Sequence, residues 1–196
     1  MPAPRLIVFL KAPRPGFVKT RLASDLGDAL ACQAYRELTE TVLAKLPPLP
    51  HIELRYTPDD ALAEIQPWLH ENWIAKPQGN GDLGDRMHRA FEANSPAILI
   101  GTDCPTIEPT DLEAATAALQ SHDLVLGPAA DGGYWLIGLR APCPALFEGI
   151  EWSTETVLEA TVTKAKAAGL SVHWLRELRD VDSLADWENF QLKYSK

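Results

Sequence analysis

Two absences narrow the reading first. No apolar run approaches the roughly 20 residues needed to cross a bilayer, and the first, residues 6–10, is too short for a secretion signal. The expectation is a soluble chain in the cytoplasm with no membrane partner. Cysteine is scarce: Cys32, Cys104 and Cys143 are odd in number and far apart, which excludes a disulfide framework and the close pairs used for zinc or redox work. Basic residues are outnumbered, 18 against 27 carboxylates for a net charge of -9, so no broad positive field draws nucleic acid. The five histidines lack metalloprotease spacing, no serine stands in a nucleophile-elbow pattern, and no Walker sequence is present. Any anionic ligand must be held by local groups.

The 196 residues suit one domain, residues 1–196, with no repeat or linker. The run 6–10 predicts a strand covered on both faces, ending near Lys11. From Leu30 the residues Ala34, Leu38, Val42 and Leu46 recur at every fourth position, predicting one long helix closed by Pro47 and Pro48. Shorter strands are expected at 52–56 and 72–76, with a helix over 59–69 interrupted near Pro67. A glycine-rich turn at 79–84 precedes a helix over 85–93. The clearest strand, 97–101, runs into Thr102 and Asp103.

Pro109 then fits a helix start, with Thr110 and Glu113 at capping-box spacing. Strands at 124–127 and 134–139 follow, then a helix capped by Ser153 and ended by Gly169, a strand at 172–175 and a helix from Leu184. Alternating strands and helices imply a three-layer α/β/α sandwich on a mostly parallel sheet, with ligands beyond the carboxyl ends of the strands.

The chemistry-bearing residues fall at those ends. Four basic residues, Lys11, Arg14, Lys19 and Arg21, lie within eleven positions after the first strand, and Gly16 lets main-chain amides approach an anion. They read as a phosphate grip or as a solvated basic loop. The segment 79–84 formally matches the dinucleotide fingerprint, with Asp103 at the distance of a ribose-binding acid. It lies mid-chain after a weak strand, however, and a tight turn into a helix accounts for it better.

Asp103, ending the most apolar strand, needs a partner for its charge; a divalent cation is one, and a cap on the turn before Pro105 is the alternative. Asp131, before Gly132 and Gly133, reads as a sugar contact, a base or a plain turn. Asp180 and Asp182 alternate along an extended segment, so both can reach one metal, unless Asp182 or Ser183 caps the last helix. Trp152 could line a pocket.

Together the motifs from Lys11 to Leu22, Gln78 to Met87, Gly101 to Pro105, Asp131 to Gly138 and Asp180 to Asp182 resemble a GT-A-like family of bacterial transferases. Its members are often labelled selenodomain-associated or arsenosugar-biosynthesis glycosyltransferases, grouped with nucleotide-diphospho-sugar transferases and with molybdenum-cofactor or phospholactate nucleotidyltransferases. The resemblance implies a GT-A-like fold in which Lys11, Arg14, Gly16, Lys19 and Arg21 face nucleotide phosphates and Gln78, Gly79 and Asp82 shape the nucleotide pocket. It implies that Asp103, Asp180 and Asp182 bind Mg2+ or Mn2+. Asp103 and Asp131 are the candidate catalytic carboxylates, Asp131 as a base or sugar contact.

The expected partners are a nucleotide sugar or nucleoside triphosphate and a small-molecule acceptor. Glycosyl transfer is the first expectation, nucleotidyl transfer with pyrophosphate release the second, and a catalytically silent nucleotide-binding domain the third.

Overall fold

The computed structural model describes residues 3–46 and 52–194. Seven strands form one sheet: β1 (Arg5–Lys11), β2 (Ile52–Thr57), β3 (Ile74–Pro77), β4 (Ala97–Ile100), β5 (Leu124–Pro128), β6 (Tyr134–Leu139) and β7 (Val172–Trp174). Their order is β3-β2-β1-β4-β6-β5-β7, all parallel except β6, which runs antiparallel to both neighbours. The helices are α1 (Thr20–Leu26), α2 (Asp28–Ala44), α3 (Leu62–Ile65), α4 (Leu83–Asn94), α5 (Pro109–Ala118), α6 (Val157–Ala167) and α7 (Leu184–Tyr194).

The period-two geometry of β1 explains its unbroken apolar run. Leu6, Val8 and Leu10 pack into one layer with Tyr35 and Val42 of α2 and Leu112 and Ala115 of α5, while Ile7 and Phe9 pack into the opposite layer with Met87 and Phe91 of α4 and Ala165 of α6. Burying each large side chain of this kind contributes about 1.5–3 kcal/mol. Leu22 of α1, Leu38 of α2, and Trp187 and Phe190 of α7 form a third cluster, which holds α1 beside the first loop.

Several local expectations are corrected. The long helix expected from Leu30 is α2, and a short helix that was not foreseen, α1, precedes it across Gly27 at φ +82°; the closing role of Pro47 and Pro48 lies outside the described residues. The helix expected over 59–69 is one turn of α-helix followed by a 3-10 turn at Gln66–Trp68 that carries Pro67 near its start. The cap of α5 is Glu108, whose N–H donates to Asp111 Oδ2 at 2.8 Å, not Thr110. Thr156, not Ser153, precedes α6. Ser183 caps α7: its Oγ accepts from the Asp186 N–H at 3.2 Å and Asp186 Oδ2 accepts from the Ser183 N–H at 3.1 Å. Asp182 is therefore free of capping duty. Among the described residues no helix is long and apolar enough to cross a membrane.

Candidate active site

The carboxyl ends of the strands open into a cavity of 990 Å³. Strand order arranges its walls. The ends of β3, β2 and β1 bring Gln78, Thr57 and Lys11; β4 brings Asp103; the segments after β5 and β7 bring Asp131, Asp180 and Asp182. The far wall is Tyr134 with the segment from Trp152 to Glu155, in which Ser153 takes a left-handed φ of 65°.

Lys11 is anchored by its own main chain: Tyr35 Oη accepts from the Lys11 N–H at 2.7 Å and donates to the Lys11 carbonyl at 3.2 Å. The first loop otherwise departs from expectation. Arg14 is not in the cavity wall, because Glu64 Oε1 at 2.6 Å and Asp60 Oδ1 at 3.2 Å draw its Nη2 outward. Gly16 also lies outside the wall. The Lys19 side chain is 3 % exposed, and its Nζ sits between Asp103 Oδ1 at 2.5 Å and Asp182 Oδ1 at 2.9 Å. Burial pulls this ammonium down, but the two carboxylates outweigh it and hold the group above its ordinary value. Arg21 lines the cavity and faces Asp182 Oδ2 at 3.6 Å.

Asp103 itself is not buried. Its side chain is 54 % exposed at the end of a buried strand, and its charge is met by Lys19. No three His, Cys, Asp or Glu side chains among the described residues converge closely enough to hold a metal by themselves. In this structure two of the three expected metal ligands, Asp103 and Asp182, are bridged by the Lys19 ammonium.

Asp180 shows what remains uncompensated. Burial, a hydrogen bond with Asp182 and the charge of Asp131 push it up to about 6, whereas Lys19 outweighs the cost of burial at Asp182 and holds that carboxyl below the usual range. A carboxylate on a cavity wall that resists ionisation is one a cation would relieve. Magnesium and manganese take hard oxygen ligands, and magnesium commonly uses one or two protein carboxylates with water and phosphate for the rest. The donor set fits such an ion without a third converging carboxylate.

Asp131 Oδ1 accepts from the Gly133 N–H at 2.9 Å, so the turn reading and the cavity reading both hold. Gln78 is 5 % exposed; its Nε2 donates to the carbonyls of Leu10 at 3.0 Å and Arg55 at 2.9 Å, which binds the ends of β1 and β2 together. The Gly79 N–H donates to Asp59 Oδ1 at 3.1 Å, and Gly79 is not in the wall. Asp82 is in the wall but caps α4, accepting from the Asp85 N–H at 2.9 Å.

Among the wall residues that were not foreseen are Tyr35 and Arg86. Tyr35 lies inside α2, where its spacing reads only as core. Arg86 lies four residues after Asp82, one turn into α4 on the same helical face, a spacing that could have marked it. Burial and the charges of Asp103 and Asp180 push the Cys104 thiol up, so it stays protonated and is no nucleophile.

A twisted, mostly parallel sheet with one antiparallel strand, helices on both faces and a cavity across its carboxyl edge defines the nucleotide-diphospho-sugar transferase fold. A protein of Desulfovibrio desulfuricans G20, provisionally described as a nucleotide-diphospho-sugar transferase, is 34% identical to this chain. That match covers 100% of this chain and 88% of the other, with a TM-score of 0.89. The family model described as "Uncharacterized protein conserved in bacteria (DUF2064)" matches residues 41–154. The chain belongs to this GT-A-like bacterial family.

Two more distant structures share the fold alone. One is the inositol-1-phosphate CTP transferase of T. maritima (15% identity, 94% of this chain and 91% of that one, TM-score 0.58). The other is the 4-diphosphocytidyl-2C-methyl-D-erythritol synthase of Anaerococcus prevotii DSM 20548 (10% identity, 98% and 97%, TM-score 0.61). No curated protein matches the chain.

Proposed function

We propose that the protein is a metal-dependent transferase that moves a glycosyl group from a nucleotide sugar to a hydroxyl of a small-molecule acceptor. The observation that carries the choice of reaction is the charge along the cavity. Lys11 and Arg86 border it over β1 and α4, whereas Asp131 and Glu155 border the other side with no cationic partner among the described residues. The first side suits the donor's phosphates. The second repels a phosphorylated acceptor and suits a neutral hydroxyl or a cationic group.

Asp180 and Asp182 would hold Mg2+ or Mn2+, with Asp103 beside them across Lys19, and the ion would neutralise the leaving diphosphate. Lys19 keeps Asp103 and Asp182 apart and oriented. The acceptor oxygen attacks the anomeric carbon, the bond from that carbon to the diphosphate breaks with its electron pair leaving on the phosphate oxygen, and the acceptor proton passes to Asp131. Asp131 is suited to this because the Gly133 N–H fixes one of its oxygens and the carboxylate is exposed to the cavity.

A thermal-shift panel of nucleotide sugars and nucleoside triphosphates, each with and without Mn2+, tests the reading, followed by product analysis. Release of a nucleoside diphosphate is expected. Release of pyrophosphate, the reaction class suggested by the CTP transferase that shares the fold, would replace glycosyl with nucleotidyl transfer. No metal-dependent shift with any member would overturn both.

A further inference from the structure

The cationic side chains that border the cavity differ in what they already hold. Lys19 is committed to Asp103 and Asp182, and Arg21 faces Asp182. Lys11 and Arg86 form no ion pair among the described residues, although both are in the wall. Arg86 is held instead by neutral acceptors: its Nε donates to the Gly81 carbonyl at 3.1 Å, and its Nη1 to Gln78 Oε1 at 3.3 Å and Thr57 Oγ1 at 3.4 Å. A guanidinium carries five N–H groups, so both hydrogens on Nη2 remain without an acceptor among the described residues. The Gln78 amide is itself locked by the ends of β1 and β2, which fixes the plane in which the guanidinium lies.

Strand geometry places the second cation beside the first. Ile7 and Phe9 point to the layer that contains α4, and Lys11, two residues further on, has the same parity. Lys11 also stands opposite Thr57 in the β1–β2 register, and Thr57 is one of the residues Arg86 touches. Both cations therefore occupy one side of the cavity, on the far side of β1 from the carboxylates that follow β5 and β7. A rigid fork with no counter-charge beside a point charge matches the oxygens of a diphosphate.

We infer that Arg86, beside Lys11, is the receptor for the diphosphate of the nucleotide donor, in the place that Arg14, Lys19 and Arg21 were expected to take. The inference rests on the nucleotide-donor reading above. Isothermal titration of the wild type with UDP, GDP, CDP, ADP and dTDP, each with Mn2+, identifies the diphosphate that binds; the same titration is then run on Arg86→Gln and Arg86→Lys.

Arg86→Gln, which keeps a donor near the Gly81 carbonyl, is expected to lower affinity at least about tenfold, and Arg86→Lys to restore part of that loss. Melting temperatures close to wild type would show that the site is intact. If a diphosphate binds the wild type and both variants bind it within twofold, the role of Arg86 is overturned and the donor reading stands. If none binds the wild type, the donor reading fails and the receptor with it.

Discussion

Asp180→Asn should stabilise the metal-free protein at neutral pH and do nothing at pH 4. In the folded chain burial, Asp182 and Asp131 raise this carboxyl to about 6, against about 3.9 in an unfolded chain. A group whose folded value is raised favours the folded state only while protonated. Its contribution is therefore complete below pH 4 and lost as pH rises through 6. Each tenfold change in proton affinity is about 1.4 kcal/mol, so two powers of ten set a ceiling of about 3 kcal/mol.

Asp180 lines an open cavity, and solvent screening reduces the ceiling to about 1–1.5 kcal/mol. An asparagine keeps the size and the hydrogen bond to Asp182 without the charge. Urea denaturation in EDTA from pH 4 to 8 reads the difference, which should grow from zero to about 1 kcal/mol in favour of the variant. Added Mn2+ at pH 8 should reverse the order, stabilising the wild type more than Asp180→Asn. A variant less stable than wild type at pH 8 in EDTA, or a difference independent of pH, would refute the reasoning.

Lys19→Met should cost about 2 kcal/mol at pH 8 by urea denaturation, less than for a fully buried pair because the side chains of Asp103 and Asp182 are 54 % and 32 % exposed. Gly132→Ala should destabilise by about 2 kcal/mol or more and displace the turn that carries Asp131, since Gly132 has φ +88° and a Cβ there collides with the Glu155 carbonyl; a crystal structure and a melting curve check both. Arg14→Ala should leave nucleotide affinity within twofold of wild type, because the guanidinium is held by Glu64 and Asp60 away from the cavity, whereas Lys11→Ala should reduce it measurably in the same titration.

The strands were legible because the physics of a strand is local. A chain buried on both faces needs an unbroken apolar run, and residues 6–10 and 97–100 have one. The same logic put Asp103, Asp131, Asp180 and Asp182 after strand ends, and the structure gathers all four on one cavity. The caps at Glu108 and Thr156 were missed because several polar residues compete within one turn.

What a charged residue faces was not written locally. Arg14 and Lys19 stand five positions apart in one basic loop, yet Arg14 turns to Glu64, fifty residues on, and Lys19 to Asp182, more than 160 residues on. Coulomb attraction depends on distance in space, and the distances come from strand order, which sets β1 beside β2 and β4 and leaves β7 at the edge. The sequence by itself determined the α/β frame and which residues stand at its carboxyl edge. Only the tertiary structure decided that Lys19 is enclosed by carboxylates while Arg86 faces the cavity without one among the described residues.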